Sequence, residues 1–143
     1  MAPRQPLEGT ERRGWGAATT MRPLILVVDD TPLARSTLRR TLETAGYHIV
    51  EAGSTEEAIR VYREEWPDLV TMDMLMDGHN GIVAIQAIQH IDHNAKIIVC
   101  SATSNQSFVA GAAQLGIKIY LNKPIDPARL LAAVAATLGK VAP

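Results

Sequence analysis

Four short apolar runs, each handing over a polar or charged group at its carboxyl end, constrain this chain more than any other feature. Leu24-Ile25-Leu26-Val27-Val28 runs into Asp29 and Asp30, and Asp68-Leu69-Val70-Thr71-Met72, bounded by Pro67, runs into Asp73. Ala95 to Cys100 ends on Ser101, and Ile117 to Leu121 delivers Lys123. Apolar runs of this length read as strands. In an open parallel sheet, ligands bind at the carboxyl ends of the strands. The four runs therefore predict one convergent site at one sheet edge.

The segments between them carry helical periodicity. Asp30-Thr31-Pro32 opens a first helix, with Ala34, Leu38, Leu42 and Ala45 on its apolar side and Gly46 as its stop. Tyr47 to Ala52 reads as a further strand. Ser54 and Glu57 form a capping box for a second helix that buries Ala58, Val61 and Tyr62. Asn80-Gly81 begins a third helix with Ile82, Ile85 and Ile88, after a loop from Met74 to His79. Asn105 to Leu115 is a fourth helix, closed by Gly116. Asp126-Pro127 caps a fifth, with Leu130, Leu131, Val134 and Leu138 on its apolar side. Five strands alternating with five helices predict an α/β fold, a doubly wound parallel sheet covered by helices on both faces.

Composition excludes several classes. The chain has 143 residues and a net charge of −1, too little field to hold nucleic acid. No apolar run approaches the roughly 20 residues of a membrane-spanning helix. The single cysteine, Cys100, excludes an internal disulfide framework and fits a cytoplasmic compartment. Residues 1–21 carry Pro, Gly and charge without periodicity. They read as a disordered or non-native tail, with Met21 as an alternative start and Trp15 as the one residue that could dock. Residues 22–140 form the expected single domain. Only Gly139 to Pro143 follow the last helix, so no output module is expected.

Asp29, Asp30 and Asp73 should meet at the sheet edge, where three carboxylates repel and need a counterion. Hard oxygen ligands with few protein contacts suit Mg²⁺. Helix capping explains Asp30 alone but not all three acids. Ser101 and Lys123 add a hydroxyl and an ammonium, the groups that a phosphoryl oxygen needs. His48, His79, His90 and His93 lack metal-ligand spacing, and His90 and His93 are expected to cap the third helix from beyond its end. Cys100 and the series Met72, Met74 and Met76 read as packing.

In order and at these intervals, Val28-Asp29-Asp30, Asp73 in Val70-Thr71-Met72-Asp73, Asn80-Gly81, Ser101-Ala102, and Tyr120 before Lys123-Pro124 resemble the receiver domain of two-component response regulators. The stretch Asn94 to Ala102 resembles chemotaxis-type, CheY-like stand-alone members in particular. The resemblance implies strand order 2-1-3-4-5 and a phosphoacceptor at Asp73. Mg²⁺ would be held by Asp29 partly through water, by Asp30 and Asp73 directly, and by the Leu75 carbonyl. Ser101 would swing toward the phosphoryl group, Lys123 would pair with it, and Tyr120 would turn inward as a switch. The face of the fourth helix, fifth strand and fifth helix would change with them. The implied partners are a histidine kinase as phosphodonor, a downstream effector such as the flagellar motor switch, and room for a phosphatase. No enzymatic activity beyond self-phosphorylation and slow self-hydrolysis is implied, and a monomer is expected.

Asp77 stands where the family usually has Pro, and Ile125 where Phe is common. Asp77-Gly78-His79 should make that loop more flexible and more acidic. Leu75 and Thr103 occupy positions that tune phosphoryl lifetime in the family. Besides the signalling switch, a phosphate sink or relay and a phosphorylation-independent interaction module docking through the Asp77 loop stay open. A phosphatase with a catalytic Asp is disfavoured, because Leu75 stands where its second acid would be. An apolar residue at 75 cannot orient an attacking water, so phosphate release in Mg²⁺ without a phosphatase is expected to be slow; rapid release in that assay would contradict this.

Overall fold

A computed structural model of the protein describes residues 22–76, 79–102 and 105–139. The expectations placed on residues 1–21 with Trp15, on Asp77 and Gly78, and on Thr103 lie outside the described residues. Five strands, β1 (Leu24–Val28), β2 (His48–Ala52), β3 (Leu69–Met72), β4 (Ile97–Ser101) and β5 (Tyr120–Asn122), form one sheet. Its order is β2-β1-β3-β4-β5 and every pairing is parallel. Five helices connect and follow them: α1 (Pro32–Thr44), α2 (Thr55–Glu65), α3 (Gly81–Ile91), α4 (Gln106–Gln114) and α5 (Pro127–Thr137). The doubly wound architecture and strand order are as expected.

The pleat sorts each strand's side chains into two cores. Leu26, Val28, Val70, Met72 and Val99 pack with Ala58, Val61, Tyr62, Ala84, Ile85 and Ile88 of α2 and α3. Ile25, Val27, Leu69, Ile98 and Cys100 pack with Leu38 and Leu42 of α1 and Leu130 and Val134 of α5. Burial on both faces explains why β1, β3 and β4 read as nearly continuous apolar runs. Each large side chain so buried contributes about 1.5–3 kcal/mol. Met72, Met74, Met76 and Cys100 are all buried, as packing residues should be.

Local chemistry sets the helix ends. Ser54 accepts from Glu57 N–H at 3.1 Å, while the Glu57 carboxylate accepts from Gly53 N–H rather than from the cap's own. α2 stops at Trp66, which takes a left-handed conformation (φ 49°), and Pro67 disfavours a right-handed helical residue before it. Asn80 and Asp126 cap α3 and α5 by accepting from Val83 and Arg129 N–H.

Several boundaries differ from expectation. β5 covers only Tyr120–Asn122; the segment from Ile117 leaves Gly116 and joins β4 at the sheet's edge, where just one neighbour holds it. β1 ends at Val28 and β3 at Met72, so Asp29 and Asp73 lie one residue beyond their strands. Within the expected Met74–His79 loop, Leu75–Met76 pairs antiparallel with His79–Asn80. Ala45 is the exposed C-cap of α1, not an apolar-face residue. His90 lies inside α3; the C-cap is Asp92, which accepts from the Tyr62 hydroxyl at 2.6 Å.

α3 begins close against the chain that follows β3. Gly81 N–H donates to Met74 O at 2.6 Å, and a Cβ at Gly81 would lie 2.8 Å from Asp73 O and from Met74 Cα. Those are backbone atoms of the site itself and cannot step aside. Gly81→Ala is expected to cost about 1–3 kcal/mol, as overpacking does. Denaturant unfolding checks this, and a midpoint equal to wild type would show that the contact yields freely.

Candidate functional site

The sheet's ladder carries the site residues past the strand ends. Asp29 N–H donates to Ala52 O at 3.1 Å, Asp73 N–H to Val28 O at 3.0 Å, and Lys123 N–H to Ser101 O at 2.9 Å. These bonds seat Asp29, Asp73, Ser101 and Lys123 at the carboxyl edge of four neighbouring strands. Asp29, Asp73 and Ser101 are buried, and Asp30 is half-buried. Among the described residues, Asp29, Asp30 and Asp73 each offer a carboxylate oxygen within 4.8 Å of the others.

Lys123 is the cation of this cluster. Its Nζ lies 2.5 Å from Asp29 Oδ2 and 3.3 Å from Asp73 Oδ2. Burial alone would lower its pKa, but the hydrogen bond to Asp29 and the charge of Asp73 outweigh that and raise it, so it stays an ammonium. Burial raises the Asp73 pKa. Lys123 pulls it back, the nearby Asp29 charge adds to the rise, and hydrogen bonds from Leu75 N–H and Ser101 oppose it. Three carboxylates against one ammonium leave negative charge in excess, in a low-dielectric recess of hard oxygen donors. That donor set fits a small divalent cation such as Mg²⁺.

Other expected residues fall around this centre. The Leu75 N–H donates to Asp73 Oδ1 at 3.3 Å, while its side chain, 58% exposed, faces solvent at the rim. Tyr120 is half-buried, packed against the α2–α3 core, and its hydroxyl is hydrogen-bonded to Ser101. Burial raises the Tyr120 pKa, and the Asp73 charge adds to it. Ser101, bonded to both, links Tyr120 to Asp73. Burial pushes the Cys100 thiol up to about 12, which fits a packing residue. Capping does not account for Asp30: the N-cap of α1 is Thr31, whose N–H donates instead to Asp29 Oδ1 at 2.9 Å.

Two features of the site were missed by the sequence reading. The Lys123–Pro124 peptide is cis. Arg35, read only as part of the polar face of α1, turns back and donates from Nη1 to the Asp29 carbonyl at 2.6 Å. A charged Glu51 inside the second strand was the available signal, for it accepts from Arg35 Nε at 3.0 Å.

No helix among the described residues is long and apolar enough to cross a membrane. The family model of the response regulator receiver domain matches residues 25–135. The chemotaxis protein CheY of Thermotoga maritima is 44% identical over 111 residues, 77% of this chain and 92% of that protein. Protein CcdB of Bacillus subtilis is 41% identical over 116 residues, 80% of this chain and 97% of that protein. Among solved structures, the CheX–CheY–BeF3–Mg²⁺ complex from Borrelia burgdorferi matches with a TM-score of 0.74 and 30% identity, covering 79% of this chain and 87% of that one. With a five-stranded parallel sheet, an acid cluster at its carboxyl edge and a family match across nearly all the described residues, the chain belongs to the response regulator receiver domains.

Proposed function

We propose that the protein is a single-domain response regulator of a two-component phosphorelay, its receiver domain spanning residues 22–140, that accepts a phosphoryl group on Asp73 from a phosphohistidine of a partner kinase. The observation that carries this reading is the environment of Asp73: a buried carboxylate just past the central strand, with the Lys123 ammonium 3.3 Å from one oxygen and the Leu75 N–H 3.3 Å from the other. An Asp73 oxygen attacks phosphorus; the O–P bond forms as the P–N bond breaks, and the electron pair leaves with the imidazole. Lys123 and the Ser101 hydroxyl supply the charge and donor that hold the transferred oxygens. Asp29, Asp30, Asp73 and the Leu75 carbonyl are the groups that would hold Mg²⁺, which when bound neutralises phosphoryl charge. The CheY of the Borrelia complex is combined with BeF3 and Mg²⁺, which supports the same chemistry here.

The output follows from the Asp73–Ser101–Tyr120 link. When Ser101 turns to a phosphoryl oxygen, Tyr120 loses or re-forms its bond, and the ring repacks on the face of α4, β5 and α5. The protein then acts by binding a partner in the cytoplasm as a monomer, not by turning over a substrate. Likeness to a chemotaxis protein makes the flagellar motor switch the most specific partner, with a phosphatase resetting the state.

Intact-mass spectrometry after acetyl phosphate and Mg²⁺ tests the reading. A phosphoryl adduct is expected on wild type and none on Asp73→Asn. No adduct on a folded, Mg²⁺-bound wild type would overturn it in favour of a phosphorylation-independent module.

A further inference from the structure

Arg35 reaches back from the first turn of α1 across the end of β1. Its guanidinium spans two acceptors, the Asp29 carbonyl just past β1 at 2.6 Å and Glu51 Oε1 on β2 at 3.0 Å. Glu51 is held from its other side by Arg39 Nη1, which donates to Oε2 at 2.5 Å. The rigid fork of a guanidinium suits this arrangement, because both donors are set by one planar group. Its path runs over Gly53, where a Cβ would lie 2.9 Å from Arg35 Nη1 and 3.6 Å from its Cζ. Glycine there leaves the space the guanidinium occupies.

The Asp29 carbonyl belongs to the same planar peptide as the Asp30 N–H. Fixing that carbonyl fixes the plane, and with it the direction in which Asp30 leaves the sheet. β1 ends at Val28 and its ladder runs one bond further, to the Asp29 N–H; the Asp29 carbonyl accepts from Arg35 instead. The rest of Asp29 is already held: its N–H by Ala52, Oδ1 by Thr31 N–H, and Oδ2 by Lys123.

We infer that Arg35 is a positioning residue for the divalent-cation site, acting through the Asp29–Asp30 peptide, and that Gly53 is the space that permits it. The inference rests on the reading of Asp29, Asp30 and Asp73 as Mg²⁺ ligands. A plain staple between α1 and β2 would instead add stability and leave cation affinity alone.

Calorimetric titration of the full 143-residue chain with Mg²⁺ alone, beside thermal unfolding without Mg²⁺, separates the two. Arg35→Ala is expected to weaken Mg²⁺ binding about tenfold, the low end for loss of an outer-shell partner. Arg35→Lys should fall between, since one ammonium cannot bridge both acceptors as the fork does. Gly53→Ala should weaken binding several-fold, on the order of the same effect, with an unfolding midpoint near wild type, because its Cβ displaces only the far end of a side chain. The double variant Arg35→Ala with Gly53→Ala should bind no worse than Arg35→Ala alone, because both act through one group. An Arg35→Ala affinity within about twofold of wild type alongside a lowered midpoint would overturn the inference, as would additive losses in the double variant. Should Arg35→Ala not fold, Gly53→Ala and Arg35→Lys carry the same comparison. A wild-type chain that binds no Mg²⁺ would sink the ligand reading itself, an outcome visible before any variant is compared.

Discussion

Everything at the carboxyl edge of this sheet depends on holding like charges together. Asp29 and Asp73 are buried and Asp30 half-buried, within 4.8 Å of one another. An uncompensated charge so placed costs several kcal/mol. Lys123 offsets part of it by facing Asp29 and Asp73 at once. The raised pKa of Asp73, from burial first, records what compensation is left to come. A site in this condition favours a small cation and, beside it, a group whose own negative charge the cation and Lys123 can share.

Beneath the cluster lies a sheet packed between two cores. β1, β3 and β4 are buried on both faces, and their ladder bonds run on into Asp29, Asp73 and Lys123. Side chains set by such a frame lose little freedom on meeting a ligand, which is how a rigid scaffold keeps opposing groups in place. Ser101 touches Asp73 on one side and Tyr120 on the other, so a change at the carboxylate has a short physical route to the outer face of β5. That edge strand has one neighbour and three residues.

Much of this was legible in the chain itself. The apolar runs announced strands, and the polar residue closing each run announced the edge they share. The misplaced boundaries have identifiable causes. Ile117 to Leu121 looked like a whole strand because apolarity reports packing and not pairing: Ile117 and Ile119 pack partly against the cores, while the strand itself begins at Tyr120. His90 was placed outside α3 because the helix stop was read from nearby polar residues; the structure ends it at Asp92, whose carboxylate is engaged by Tyr62 30 residues away. Such long-range partners leave no local pattern.

By itself, the sequence determined the α/β class, the helix caps at Ser54 and Asp126, the start of α3 at Asn80-Gly81, and the five side chains that meet at the site. Each of these follows from local periodicity or from a residue's place at the end of an apolar run. Only the tertiary structure decided what those side chains touch. That Lys123 bridges Asp29 and Asp73 is a contact between segments far apart in the chain. That Arg35 crosses Gly53 to hold the Asp29 carbonyl, and that Gly81 lets α3 close on the chain after Asp73, depend on how the elements pack and not on any periodicity. Hydrophobic pattern selects which surfaces come together, but it is non-directional. Hydrogen bonds and steric contact set the orientation, and they exist only once the surfaces have met.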